Sequence, residues 1–578
     1  MIKWIYSSLF LLLAFVQLAA QAQFVDASNE AGINNVGFNR GVSIVDYDRD
    51  GWEDIYFTRL NGSNILYHNN GDGTYSDLSE AAGLAYAGSS MSAAWGDLDN
   101  DGWPDLVLGN RDTPSIIYHN NGDGSFTDQS EAVGFIITAK VQAVLLADID
   151  NDGWLDVYLA NFDTENALYV NQGSGQFKEV NQDRGALDDK KAMGSLFFDY
   201  DNDGDQDLYL THDANQANIL YQNDGAGYFT DVSASAGIDF AGQGMGVDAA
   251  DYNNDGYLDL YITNLYENVL FLNERNGTFS DQSIATGVTD RGMGWGTTWI
   301  DYDNDGWQDL YVCNETLFPV NGNFYDNIMY HNQGNGSFST SSTNSVLASS
   351  LGGYGAVAAD LDKNGRVDII IANSGLSDGN QLLQNQEEND HHWIVLRLEG
   401  TQSNRSAIGA RVTLKAGELE LCDQVIAGNS FASQNSLRLH FGLGEHTQID
   451  ELDIYWPSGQ KEHFEQLEVD RYYEIVEQVS ITTTRDGLSA AALQAKVYPN
   501  PVQENLIFAL HLQHNIGSFQ YRILDNTGRV LMHEIVRLPS LDHHLQSWAV
   551  PKGWSNGTYY LEIITDNNRQ VLPFLLQQ

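Results

Sequence analysis

The nine residues "DYDRDGWED", from Asp46 to Asp54, recur with small changes at Asp97, Asp148, Asp199, Asp251, Asp301 and Asp360. The intervals are 51, 51, 51, 52, 50 and 59 residues. A period that regular requires one supersecondary unit repeated along the chain, so any acceptable fold is an array of seven such units. Acids fill 26 of the 28 places at positions 1, 3, 5 and 9, Asn253 and Asn364 being the exceptions, and every copy has a glycine at position 6, so like charges crowd into one short turn.

Oxygen-rich side chains at this spacing suit a hard cation such as Ca²⁺. The glycine allows the sharp turn, and the carbonyl of residue 7 adds a further ligand. The expected ligands are Asp46, Asp48, Asp50 and Asp54; Asp97, Asp99, Asp101 and Asp105; Asp148, Asp150, Asp152 and Asp156; Asp199, Asp201, Asp203 and Asp207; Asp251, Asn253, Asp255 and Asp259; Asp301, Asp303, Asp305 and Asp309; and Asp360, Asp362, Asn364 and Asp368. About seven Ca²⁺ sites are expected. The loop at Asp360, with Asn364 at position 5 and Lys363 beside it, should bind most weakly.

The charge balance agrees. The 578 residues hold 28 basic and 79 acidic side chains, a formal net charge of −51. That field disfavours nucleic acid and anionic membranes and favours cations. Aromatics at 11% distinguish the chain from a disordered acidic tail. Lys3, the run "LFLLLAFV" and "AQA" at 20–22 read as a cleavable export signal over residues 1–22. No later segment approaches the ~20 apolar residues of a membrane span. Cys313 and Cys422, 109 residues apart, exclude a disulfide framework.

The flanks distinguish this loop from an EF-hand, which needs helices on both sides and a glutamate at position 12. Position 12 of the first loop is Phe57, and the runs around each loop ("VSIVD", "DIYFT", "DLYLT") read as strands. A third strand recurs as "NILYHN" (64–69) through "NQLLQN" (380–385), and a glycine turn leads to a fourth, such as "SFTDQS". Four strands per ~50-residue unit, seven times, predict a seven-bladed β-propeller. The seventh unit lacks a fourth strand of its own. "FVDASNEAGI" (24–33) matches the fourth-strand segment "FTDVSASAGI" (229–238), so the N-terminal segment should complete that unit and close the ring.

The glycine-rich first strands ("GMGVDAADYN", "LGGYGAVAADLD") together with these loops resemble FG-GAP/VCBS repeats over residues 24–388. That resemblance implies an integrin-α-like propeller with calcium between its first and second strands. "SNRSAIGARVTLKAG" (403–417), "GNSFASQNSLRLHFGLG" (428–444) and "LDIYWPSG" (452–459) resemble the ASPIC/UnbV domain of the cartilage acidic protein family, a small β-domain over 390–478. A polar stretch, 479–495, reads as a linker. Residues 496–578, with "VYPNP", "ILDNTGRVL" and "NGTYYLEI", resemble the C-terminal sorting domain of type IX secretion, an immunoglobulin-like sandwich. The resemblance implies contact with that secretion machinery and a secreted or cell-surface protein. His391 and His392 are adjacent, so in a strand they face opposite sides and do not share an ion.

Five residues after the last ligand of each loop stand Arg59, Asn110, Asn161, His212, Asn264, Asn314 and Asn373, on the face opposite the loops. Asparagine at such a place satisfies a turn. The exceptions, Arg59 and His212, are candidate ligand-reading residues. The sixth unit is longer by eight residues, which fall in "NETLFPVNGNFYDN" (314–327) on that same face; Phe318, Phe324 and Tyr325 are a candidate contact patch for protein or glycan. No nucleophile motif, zinc signature or paired acids outside the loops mark a catalytic site. The expectation is a calcium-rigidified interaction or adhesion protein rather than an enzyme, and the alternative is an extracellular carbohydrate-active enzyme on a calcium propeller.

Overall fold

In each repeat the apolar runs on either side of the acidic loop pair as antiparallel strands, because β-branched and aromatic side chains fit a pleated, buried surface. In the first unit Val36–Val45 pairs with Asp54–Arg59, then Ile65–Asn69, then Tyr75–Asp77. The computed structural model describes residues 24–173, 175–316, 319–340 and 346–484, and the strands of residues 493–576. The expected signal over 1–22 lies outside the described residues. The protein is all-β, with repeats consistent with a propeller, and the same four-stranded order recurs through the unit that begins at Gly294–Ile300. The seventh sheet is completed by Phe24–Asp26, which pairs antiparallel with Gln381–Asn385 in the register Phe24 to Asn385 and Asp26 to Leu383, as the N-terminal match predicts.

The first strand of each unit lies against that of the next, and Gly353–Ala359 of the seventh lies against Val36–Val45 of the first. A repeated geometry at the end of the third strand ties neighbours together. The Nδ2 of Asn120 donates to Tyr47 O at 2.8 Å in the preceding unit and to Pro104 O at 3.0 Å in its own. Asn171, Asn223, Asn273, Asn332 and Asn385 repeat the pattern. Asn69 donates to Leu361 O at 3.0 Å, which joins the first unit to the seventh. Because Asn171→Ala leaves the carbonyls of Leu98 and Leu155 buried without this donor, it should cost about 3 kcal/mol. Thermal unfolding checks this, with the exposed Asn70→Ala as the unaffected control.

Residues 392–484 form two four-stranded sheets, in which His392–Glu399 runs parallel to Arg471–Val476. Ser480–Thr484 pairs with Arg471–Val476, and Leu493–Tyr498 pairs with Asn505–Leu512. Within the stretch expected to be a linker, 479–495, residues 480–484 and 493–495 are strand, and 485–492 lie outside the described residues. The C-terminal unit holds a three-stranded and a four-stranded antiparallel sheet.

The small β-domain is not merely appended to the repeats. Its segment 424–435 hydrogen-bonds to all seven units. Gln434 exchanges bonds with Ile44 N and Val42 O at 3.1 Å each, and Ser430 does so with Val247 at 3.0 and 2.7 Å. Leu146 N donates to Ala427 O at 3.1 Å. Trp95 N, Asp199 N, Thr297 N and Ala358 N donate to side chains of Gln434, Gln424, Ser430 and Asn435. Contact with every first strand at once places this segment on the axis they surround, where it satisfies inner-edge groups that would otherwise need water. The glycine-rich first strands follow from this: a Cβ on Gly41 would lie 1.9 Å from Ala432 O, and one on Gly246 would lie 2.4 Å from Trp295 O. At the far end of the axis Met91, Met193, Met245, Trp295 and Tyr354 pack around Phe431.

Candidate metal centre

Each acidic loop is shaped by its own backbone before any ion is considered. Position 4 adopts the left-handed conformation in all seven loops (Asn100, φ 57°) and so does the position-6 glycine (Gly102, φ 98°). This turn brings the amides of positions 5 and 6 onto the position-1 carboxylate: Asp101 N reaches Asp97 Oδ1 at 3.1 Å and Gly102 N reaches Oδ2 at 2.7 Å. The position-9 aspartate is buried in every loop and anchors it to the sheet. Asp105 accepts Leu98 N at 3.0 Å and Asn120 N at 2.8 Å. The loops also join to one another. Asn100, Asn202, Asn254 and Asn304 each donate Nδ2 to the position-6 carbonyl of the following loop at 2.9–3.0 Å.

The carboxylates at positions 1, 3, 5 and 9 converge. In the first loop Asp46, Asp48 and Asp50, and in the second Asp97, Asp99 and Asp105, place ligand atoms within 4.8 Å of one another. Asp150 Oδ1, Asp201 Oδ1, Asp259 Oδ2 and Asp303 Oδ1 are buried without a hydrogen-bond partner. Carboxylate oxygens cost free energy when buried and unpaired, and a cation is the partner this donor set fits. Burial drives the aspartates out of their usual range. Desolvation, reinforced by neighbouring aspartates, raises Asp54 to about 8 and Asp101 to about 7, while Asp148 and Asp199 also rise to about 7. The neutral substitutes stay within their loops: Asn253 donates to Asp255 Oδ2 at 3.0 Å and Asn364 to Asp362 Oδ2 at 2.9 Å.

One set of contributors was missed in the sequence. In five of the seven units the residue before the terminal asparagine of the third strand reaches the loop. His68 Nδ1 lies 3.1 Å from Asp54 and 3.6 Å from Asp48, and His119 and His331 repeat the arrangement. Gln222 and Gln384 donate to Asp201 and Asp362. The signal was present in "YHN", "YQN" and "LQN", but Val170 and Leu272 interrupt it. Lys363 also departs from expectation. Its Nζ lies 4.2 Å from the Trp52 ring in the first unit, so its charge bears on the first loop rather than on its own.

On the opposite face the asparagines satisfy turns: Asn110 donates to Pro114 O and Asn161 to Glu165 O, both at 2.7 Å. His212 is fully buried and 2.9 Å from Asp188, which removes it as a ligand-reading residue. Arg59 spends its guanidinium on Val36 O and Ser63 O. Phe318 lies outside the described residues, Tyr325 is half-buried, and Phe324 is 64% exposed. Tyr266 of the preceding unit is 45% exposed with φ 82°, and its amide donates to Gly292 O at 2.9 Å. His391 and His392 take separate partners, Asp303 O and Asp470.

The FG-GAP-like repeat matches residues 46–108, 97–159, 148–210, 199–262, 252–312 and 318–371, more than half of the sequence. The chain belongs to the FG-GAP-like repeat family. This FG-GAP-like chain also carries an ASPIC and UnbV domain at 400–482 and a secretion system C-terminal sorting domain at 496–576. It is 30% identical over 207 residues to cartilage acidic protein 1 of Homo sapiens, covering 34% of this chain and 31% of that protein. Integrin alpha-7 of Rattus norvegicus is 29% identical over 155 residues, covering 23% and 13%. The matched region is thus about a third or less of these relatives' length. Among solved structures, Sqt1 of Saccharomyces cerevisiae aligns with a TM-score of 0.40 at 11% identity, covering 63% of this chain and 99% of that one. The sorting domain marks an extracellular or cell-surface protein exported by type IX secretion, and no helix among the described residues is long and apolar enough to cross a membrane.

Proposed function

We propose that the seven sheets are the blades of one closed propeller, that about seven Ca²⁺ rigidify it, and that the exported protein is an interaction or adhesion protein for protein or glycan ligands rather than an enzyme. The C-terminal unit is read as an immunoglobulin-like sandwich. The observation that carries the calcium reading is the set of buried, unpartnered aspartate oxygens in Asp150, Asp201, Asp259 and Asp303, inside loops already held in shape by their own amides. The interaction reading rests on the exposed Phe324 and Tyr266 on the face left open by the small β-domain, which covers the loops.

Elemental analysis of the purified protein should return about seven calcium ions per chain, and two or fewer would overturn the reading. Glycan-array binding run beside an assay for released sugar should give binding without product. Turnover would establish the enzyme alternative. Removing residues 496–578 should stop delivery to the surface and leave the folded protein in the periplasm; arrival of the shortened chain in the medium would contradict the sorting role.

A further inference from the structure

The small β-domain reaches the position-1 carboxylate of three loops: Arg438 pairs with Asp46, Cys422 Sγ lies 3.4 Å from Asp251, and an uncharged phenol hydroxyl meets the seventh. The hydroxyl of Tyr472 donates to Oδ2 of Asp360, the position-1 carboxylate. His440 Nε2 lies 3.1 Å from Gly365 O in the same loop. Trp393 packs so close to Gly365 that a Cβ there would come within 1.9 Å of the indole, and the Trp393 ring stands 5.4 Å from Tyr472. The strand entering this loop, Gly353–Ala359, is bonded at Ala358 N to Asn435 of the axial segment at 3.1 Å. At the seventh loop a set of acidic side chains, the body of the small β-domain and the axial segment thus share one set of contacts.

We propose that Tyr472 is a positioning residue for the cation site at Asp360, and that cation loading of this site and seating of segment 424–438 on the propeller axis form one linked equilibrium. The inference rests on the calcium reading above. Asp360 Oδ1 accepts Asn364 N at 3.0 Å and Oδ2 accepts Gly365 N at 2.7 Å. The Tyr472 hydroxyl adds a third donor from outside the loop and fixes the carboxylate's orientation toward the cage. Partners of this kind hold first-contact ligands in place, and their loss typically weakens metal affinity about 10–100-fold. The hydroxyl is neutral, so it orients the carboxylate without setting a like charge beside the cation. Linkage is reciprocal: whatever the seated domain adds to cation affinity, the cation adds to seating. This also offsets the weakness expected from Asn364 at position 5, where one carboxylate is missing.

The test uses the full chain at graded calcium, with metal content verified at each step, and reads two quantities. Calorimetry counts and ranks the sites, and hydrogen exchange follows the amides of Ser430, Gln434, Ile44 and Val247, which bond across the axis. Tyr472→Phe should weaken one site about tenfold and leave the others unchanged. At subsaturating calcium it should also raise exchange at those four amides about tenfold, with recovery at saturation. Asp360→Asn, which removes a charge from the cage while leaving an oxygen for the Tyr472 hydroxyl, should raise exchange at the same amides. Tyr455→Phe, whose hydroxyl is bonded to the exposed Lys461 and not to any loop, should change neither quantity. Unchanged affinities in Tyr472→Phe, or axial exchange that ignores calcium while the bound metal count changes, overturns the inference alone. A wild-type chain that binds no calcium overturns the calcium reading as well.

Discussion

In excess chelator at pH 8, after verified metal loss, the propeller should lose its cooperative melt, and lowering the pH to 5 should restore much of it. Saturating one cation site a hundredfold above its Kd contributes about 2.7 kcal/mol. Several such sites together exceed the ~5–15 kcal/mol by which a folded domain is stable. The pH dependence follows from the direction of the aspartate shifts. Burial raises Asp54 to about 8 and Asp101, Asp148, Asp199 and Asp360 to about 7, above their values in the unfolded chain. A carboxyl raised on folding contributes stability that is complete below its unfolded pKa and is lost as pH rises through the folded value. The cation-free protein is therefore most secure near pH 4–5 and weakens between about 5 and 8. With calcium the order inverts, because protons now compete with the ion for the same oxygens. Melting curves at pH 5 and 8, with and without metal, check both signs; a chelated protein that melts higher at pH 8 than at pH 5 would sink the argument.

The loops were legible in the sequence because their acidic side chains are local. The aspartates, the two asparagines that replace them and the glycine at position 6 fall within nine residues, and the period repeats them seven times, whereas His68 or Gln222 comes from a strand further on. The four-stranded unit and the role of Phe24–Asp26 were legible for the same reason, since one segment could be matched to six others. Contacts between distant parts of the chain left weaker traces. The asparagine that ties neighbouring units closes each third strand, yet its acceptor lies in the preceding unit, 73 residues away in the case of Tyr47 and Asn120. His212 occupies an asparagine position and looks like a break in the pattern, but the pairing with Asp188 that buries it depends on a neighbouring loop of no recognisable motif. The axial segment, "GNSFASQNS", resembles a family signature, and nothing in those residues alone says where it sits. Its alternation of small and amide side chains makes sense only beside seven strand edges that are themselves rich in glycine. The glycines of those strands, such as Gly41 and Gly246, are explained by the approach of that segment and of neighbouring strands and not by the cation loops.

Removing residues 24–33 while keeping the preceding leader should cost the propeller more than any single loop substitution, even in saturating calcium. Phe24, Ala31 and Ile33 are buried, and the loss of a side chain like Phe24 alone costs about 3–5 kcal/mol. Phe24 packs against Tyr302 of the sixth unit and Ile33 joins the core shared by the seventh and first, so the deletion loosens both junctions. It also frees the strand Gln381–Asn385, whose backbone then has no partner on one side. Ala27 N no longer donates to Leu382 O, and Ser28 Oγ no longer accepts Leu382 N. An apolar edge of this kind recruits other chains, so aggregation should accompany the early melt. The same exposure supplies the control. A synthetic peptide of residues 24–33 added in trans should pair with the vacant edge as a donated strand and restore the melt, as strand addition does elsewhere. Val25 is 46% exposed on this strand, so in the peptide Val25→Ser should rescue and Phe24→Ser should not. A silent deletion, or rescue by both peptides alike, would show that the ring does not close through this strand.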